Sequence, residues 1–129
     1  MTPESTAIAS VLLKNHREFC REFEGLMPEE ISDGMVEQSV IPYGDLCEWA
    51  GFPFLLPGVG RFLDEIGEWC EENDWPLLNS LAVNRKSRMP DGSDLLLWPD
   101  QVRRCIAFDG YPTKIRSAGT LGAKRLPWV

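Results

Sequence analysis

Apolar residues recur at helical spacing most plainly between residues 59 and 73. Val59, Phe62, Leu63, Ile66, Trp69 and Cys70 fall on one face, while Asp64, Glu65, Glu68, Glu71 and Glu72 fill the other. This recurrence predicts an amphipathic helix with its apolar stripe on a core and its acids in water. A first helix is predicted over residues 5–24, where Ile8, Leu12, Phe19 and Phe23 repeat in the same way, with Ser5 as its cap. His16, the only histidine, falls near that stripe and reads as a packed or partly exposed residue rather than a ligand or base.

Between these helices the pattern is broken. Residues 25–34 carry Pro28, Glu29, Glu30, Ser32, Asp33 and Gly34, which is turn chemistry. An extended piece is expected over Val36–Pro42. Residues 43–51 then read as a two-turn helix stopped by Gly51, a natural residue for the left-handed position after a helix. Phe52-Pro53-Phe54-Leu55-Leu56-Pro57 is apolar, yet its prolines forbid regular helix, so it either packs as a loop or forms an exposed apolar patch.

After residue 74 the character changes. The run Trp75 to Asn84 predicts a largely buried strand. Arg85 to Gly92 follows as a basic turn ending in the Asp-Gly of a hairpin tip, and Leu95, Leu96, Leu97 and Trp98 form or flank the return strand. Residues 99–107 read as a short helix or a strand, with Pro99 favouring a helix start. The expected architecture is therefore α+β: one small domain over residues 1–111, amino-terminal helices followed by a β-hairpin, and a basic irregular tail over residues 112–129.

Charge divides the chain. Residues 1–74 hold four basic and sixteen acidic residues, a net of −12; residues 75–129 hold nine basic and four acidic, a net of +5. These sum to the formal −7 of the whole 129-residue chain, which thus offers two electrostatic surfaces to partners. No apolar run approaches the roughly 20 residues of a membrane helix, and the first residues lack the basic region of a signal peptide, so a cytoplasmic protein without a membrane partner is expected. Cys20, Cys47, Cys70 and Cys105 lie among apolar residues with no close pairing, which predicts buried reduced thiols and no structural metal.

Tyr43-Gly44 opening one helix, Gly58-Val59-Gly60-Arg61 opening the next, and a strand after Trp75-Pro76 resemble the winged-helix DNA-binding domain of O6-alkylguanine alkyltransferases and alkyltransferase-like proteins. Trp69-Cys70 and the Pro-Leu-rich run 76–84 are similar to related small phage and restriction-associated domains. The resemblance covers about residues 40–84. It implies a winged-helix scaffold in which Tyr43 and Arg61 approach a duplex, Arg61 matching the family's inserted arginine. Where alkyltransferases carry Pro-Cys-His-Arg, this chain has Pro76-Leu77-Leu78-Asn79, so the nucleophile is missing and alkyl transfer is not expected.

No phosphate-binding glycine loop, zinc-protease motif or nucleophile elbow is present, and the carboxylates Asp64, Glu68, Glu71 and Glu72 lack the nearby lysine a nuclease site wants, so neither an enzyme nor a cofactor is expected. The favoured expectation is a non-catalytic protein-interaction module, a phage or mobile-element accessory or inhibitor acting on nucleic-acid machinery. Its partner would carry a basic surface and meet Trp49, Phe52, Phe54, Leu55 and Leu56, ringed by Asp64, Glu65, Glu68, Glu71 and Glu72. The alternative is a nucleic-acid-binding domain using Tyr43, Arg61, Arg85, Lys86, Arg88, Arg103 and Arg104.

Overall fold

A computed structural model describes residues 1–22, 25–88 and 98–112, with backbone alone at residues 20–22. Among the described residues, five α-helices and one two-stranded sheet make a small α+β fold: α1 (Pro3–Glu22), α2 (Asp33–Ser39), β1 (Ile41–Pro42), α3 (Tyr43–Trp49), α4 (Val59–Glu72), β2 (Ala82–Val83) and α5 (Trp98–Ala107). Short 3-10 helices at Pro28–Glu30, Pro53–Gly58 and Leu78–Leu81 join them. Phe23, the Asp91-Gly92 tip, the expected return strand at Leu95–Leu97 and residues 113–129 lie outside the described residues.

α1 is the hub and touches each of the other four helices. Ile8, Ala9, Leu12 and Leu13 are buried along it, as the helical spacing predicts, and Phe19 is half-buried. Its cap is not Ser5. The backbone N–H of Ser5 donates to Thr2 Oγ1 at 3.1 Å, so Thr2 caps and Pro3 takes the first helical position, where the missing N–H costs nothing. Ser5 is buried one turn in, its hydroxyl bonded to that of Thr2.

The extended piece expected at Val36–Pro42 is mostly helical. Ser32 accepts from the N–H of Met35 at 3.2 Å and starts α2, which buries Val36 and Ser39 before two residues of strand. Asn15 of α1 donates to the Ser39 carbonyl at 2.8 Å and closes the other end. The expected strand over 75–84 is likewise reduced: Leu78–Leu81 turn as a 3-10 helix and Ala82–Val83 alone are extended. These two residues pair in parallel with β1, Ile41 opposite Ala82 and Pro42 opposite Val83. Among the described residues the neighbour of β2 is thus a strand far upstream, while the expected hairpin partner lies outside them.

α3 and α4 end in the same way. After α3, Gly51 adopts φ +87°, its N–H donates to the Glu48 carbonyl and the N–H of Phe52 to that of Cys47. After α4, Asp74 adopts φ 57°, with Asp74 and Trp75 donating to the carbonyls of Glu71 and Cys70. Both are Schellman caps, one closed by glycine and one by a residue that tolerates the left-handed region less well. α5 begins at Trp98, with Pro99 in its first turn, and the Trp98 indole N–H donates to the Ser80 carbonyl at 2.8 Å.

Candidate interaction surface

α4 carries the division the sequence predicts. Val59, Phe62, Leu63, Ile66, Trp69 and Cys70 are buried, while Asp64, Glu68, Glu71 and Glu72 are exposed. Asp64 lies four residues before Glu68, and Glu68 three before Glu71 and four before Glu72, so the four carboxylates share one side of the helix as an acidic ridge. Glu65 departs from the expectation: half-buried, it accepts the backbone N–H of Thr2 at 2.7 Å and ties the start of α1 to α4.

Ahead of α4 the chain turns outward. Trp49 ends α3 with 62 % of its surface exposed; Phe54 at 74 % and Leu56 at 46 % stand on the 3-10 helix that follows. Phe52 and Leu55 are half-buried, so they support the patch rather than cap it. Phe52 meets the Phe54 ring edge-on at 6.1 Å, and Leu55 packs on the core. Pro53 and Pro57 limit the backbone here, and the cap at Gly51 fixes how the segment leaves α3. The apolar side chains are therefore held outward by a defined backbone, beside the start of the acidic ridge.

The basic residues are distributed differently. Arg85 Nη2 donates to Asp45 Oδ1 at 2.7 Å, and Arg88 Nη2 reaches the Glu37 carbonyl at 3.4 Å. Arg103 donates to Asp33, to the Ile31 carbonyl at 3.1 Å and to Asp100 at 3.4 Å, pinning α5 to the start of α2. Arg61 stacks over the Phe62 ring at 4.7 Å. Lys86 and Arg104 are exposed, and Tyr43 is half-buried against the core. Asn84 organises the turn itself, its side chain accepting the backbone N–H groups of Lys86 at 2.8 Å and Ser87 at 3.4 Å. Three of the arginines singled out for nucleic acid thus bond within the protein, a role that only the fold reveals because their partners are 40 or more residues away.

Cys47, Cys70 and Cys105 are buried free thiols. Burial pushes the Cys70 thiol up to about 12 and Cys105 up to about 11, and raises Cys47 as well. Cys105 donates to the Leu77 carbonyl at 3.1 Å, and Cys70 accepts from the N–H of Leu78 at 3.5 Å. Thiols held neutral in this way are poor nucleophiles. Among the described residues no group of three or more His, Cys, Asp or Glu side chains converges to suit a metal ion, and no helix is long and apolar enough to cross a membrane.

Comparison with protein families, with characterised proteins and with solved structures finds no match to this chain.

Proposed function

We propose that the chain is a non-catalytic protein-interaction module on a winged-helix-like pair of helices, α3 and α4. It docks through Trp49, Phe54 and Leu56 onto a basic surface of nucleic-acid machinery. The observation that carries this reading is the exposure of two aromatic side chains on and before a proline-limited segment that leads directly into α4, whose outer side bears four unburied carboxylates. Rigid aromatic anchors lose little freedom on binding and dominate interface energies, while a charged rim speeds encounter. The nucleic-acid reading is less favoured. Arg85 and Arg103 are bonded to carboxylates, and the ridge of α4 would repel phosphates.

The test is affinity capture of the partner by the full chain, with and without nuclease, compared with Trp49→Ala/Phe54→Ala and Glu68→Lys/Glu72→Lys variants that retain the native circular dichroism. Losing an anchor worth about 2 kcal/mol should weaken binding roughly thirty-fold. The charge reversals should slow association and flatten its salt dependence. Capture abolished by nuclease, or indifferent to the aromatic variants, would refute the proposal.

A further inference from the structure

α4 carries its charges against its own dipole. Its first turn holds Arg61 and no acidic residue, and its last turn holds Glu72 and no basic one. A helix is positive at its start and negative at its end, so both placements lower the stability of α4. Arg61, Asp64, Glu68 and Glu72 are all exposed, and none is in an ion pair among the described residues. At about 100° per residue the four positions fall within an arc of about 80°. The exposed side of α4 therefore presents one cation and then the acidic ridge, starting just after the exposed side chains of Phe54 and Leu56.

We infer that Arg61 sets the register of docking on this surface, an inference that rests on the reading above. The partner segment places an acidic side chain against Arg61. That acid lies between the apolar residues seated on Phe54 and Leu56 and the Lys or Arg side chains laid along Asp64, Glu68 and Glu72.

The Arg61 guanidinium stands over the Phe62 ring, 4.7 Å from its centre, and makes no ion pair with Asp64 three residues on. A side chain held in this way loses little freedom on accepting a carboxylate, which a guanidinium takes through two parallel N–H bonds. The helix start adds a field of the same sign. A uniformly basic segment would instead set a cation against Arg61, and like charges brought together at an interface displace the segment or reject it. A rise of about 1.5 Å per residue puts Arg61 about 4.5 Å before Asp64 and about 10.5 Å before Glu68. The partner's acid should thus precede its bases by about three to seven residues of helix, or about one to three of extended chain.

The experiment selects a displayed library of random peptides, each about 20 residues and so about 30 Å long as a helix, on the immobilised full chain. The wild type should enrich peptides with aromatic or aliphatic residues, then Asp or Glu, then several Lys or Arg at that spacing. Arg61→Glu should enrich peptides with a base in place of the acid. Peptides chosen by the wild type should bind that variant roughly tenfold more weakly, and changing their acid to lysine should restore the loss. Arg61→Gln keeps the stem over Phe62 and should bind both peptide sets alike. Arg61→Glu should also raise the urea midpoint of unfolding, since an acid then stands at the helix start. A lowered midpoint would make Arg61 a support of the fold and overturn the inference. Wild-type peptides that are apolar and basic and need Trp49 and Phe54, yet carry no acid and bind Arg61→Glu equally well, would overturn it too while leaving the docking reading in place. Peptides indifferent to Trp49→Ala/Phe54→Ala would refute that reading and the inference with it.

Discussion

Gly67 lies against the side-chain amide of Asn79: a Cβ at position 67 would come within 3.1 Å of Asn79 Nδ2 and 3.2 Å of its Oδ1. Here α4 packs against the 3-10 helix at Leu78–Leu81, which explains a glycine in the middle of a buried helix face, where it costs about 1 kcal/mol relative to alanine. The two effects oppose each other in Gly67→Ala. Alone, that substitution should change stability little. In an Asn79→Ala background it should stabilise by about 0.5–1 kcal/mol, since helix propensity then acts without the crowding. A double-mutant cycle by urea denaturation checks this, and additive behaviour would show that the amide does not constrain the position.

Asp74 supplies the left-handed residue of the cap on α4, with a carboxylate at the negative end of the helix dipole. Glycine suits both conditions better. Asp74→Gly is expected to raise stability by about 0.5–1 kcal/mol, measured as a higher urea midpoint at unchanged slope.

His16 makes stability depend on pH. Its ring Nε2 bonds the Cys105 carbonyl and its ring meets Tyr111 edge-on at 4.9 Å. Burial is the largest influence and lowers its pKa from the ordinary 6.5, outweighing the backbone bonds to Cys105 and Phe108 that act in the opposite sense; Arg17 lowers it slightly further. The unfolded chain therefore binds this proton at a higher pH than the folded one. The stabilising contribution is complete above 6.5 and is lost as pH falls below it toward the folded value. A plot of unfolding free energy should fall on acidification from about pH 7 to about pH 5, and His16→Gln should flatten that limb. An unchanged slope in the variant would assign the dependence to carboxylates instead.

How much of this the sequence discloses depends on how periodic each segment is. The α4 stripe has a dominant apolar face, and all six of its expected core residues are buried. The run from Trp75 to Val83 has no such period. Leu77, Leu78, Leu81, Ala82 and Val83 are apolar in any conformation, so burial is legible there and the 3-10 turn is not. α2 is only seven residues long, and its signal was the Ser32 cap rather than a stripe. For the candidate surface, prolines flanking Phe54 announced an irregular apolar segment, but which of Phe52, Phe54, Leu55 and Leu56 face water depends on the packing of Leu55. The bonds of Arg85 to Asp45 and Arg103 to Asp33 join residues distant in sequence, which local patterning cannot register.

The pairing of Ile41 with Ala82 has a kinetic consequence. A parallel bridge needs a crossover, and here the crossover is the whole of α3, the Pro53–Gly58 turn, α4 and the Leu78–Leu81 turn. The two strands contribute two residue pairs to offset the entropy of closing that long loop, so the bridge gains little until the intervening helices have compacted. The segment between the strands thus behaves as one excursion pinned at its base. The exposed aromatics and the acidic ridge both ride on it, and an opening at the bridge would loosen them together.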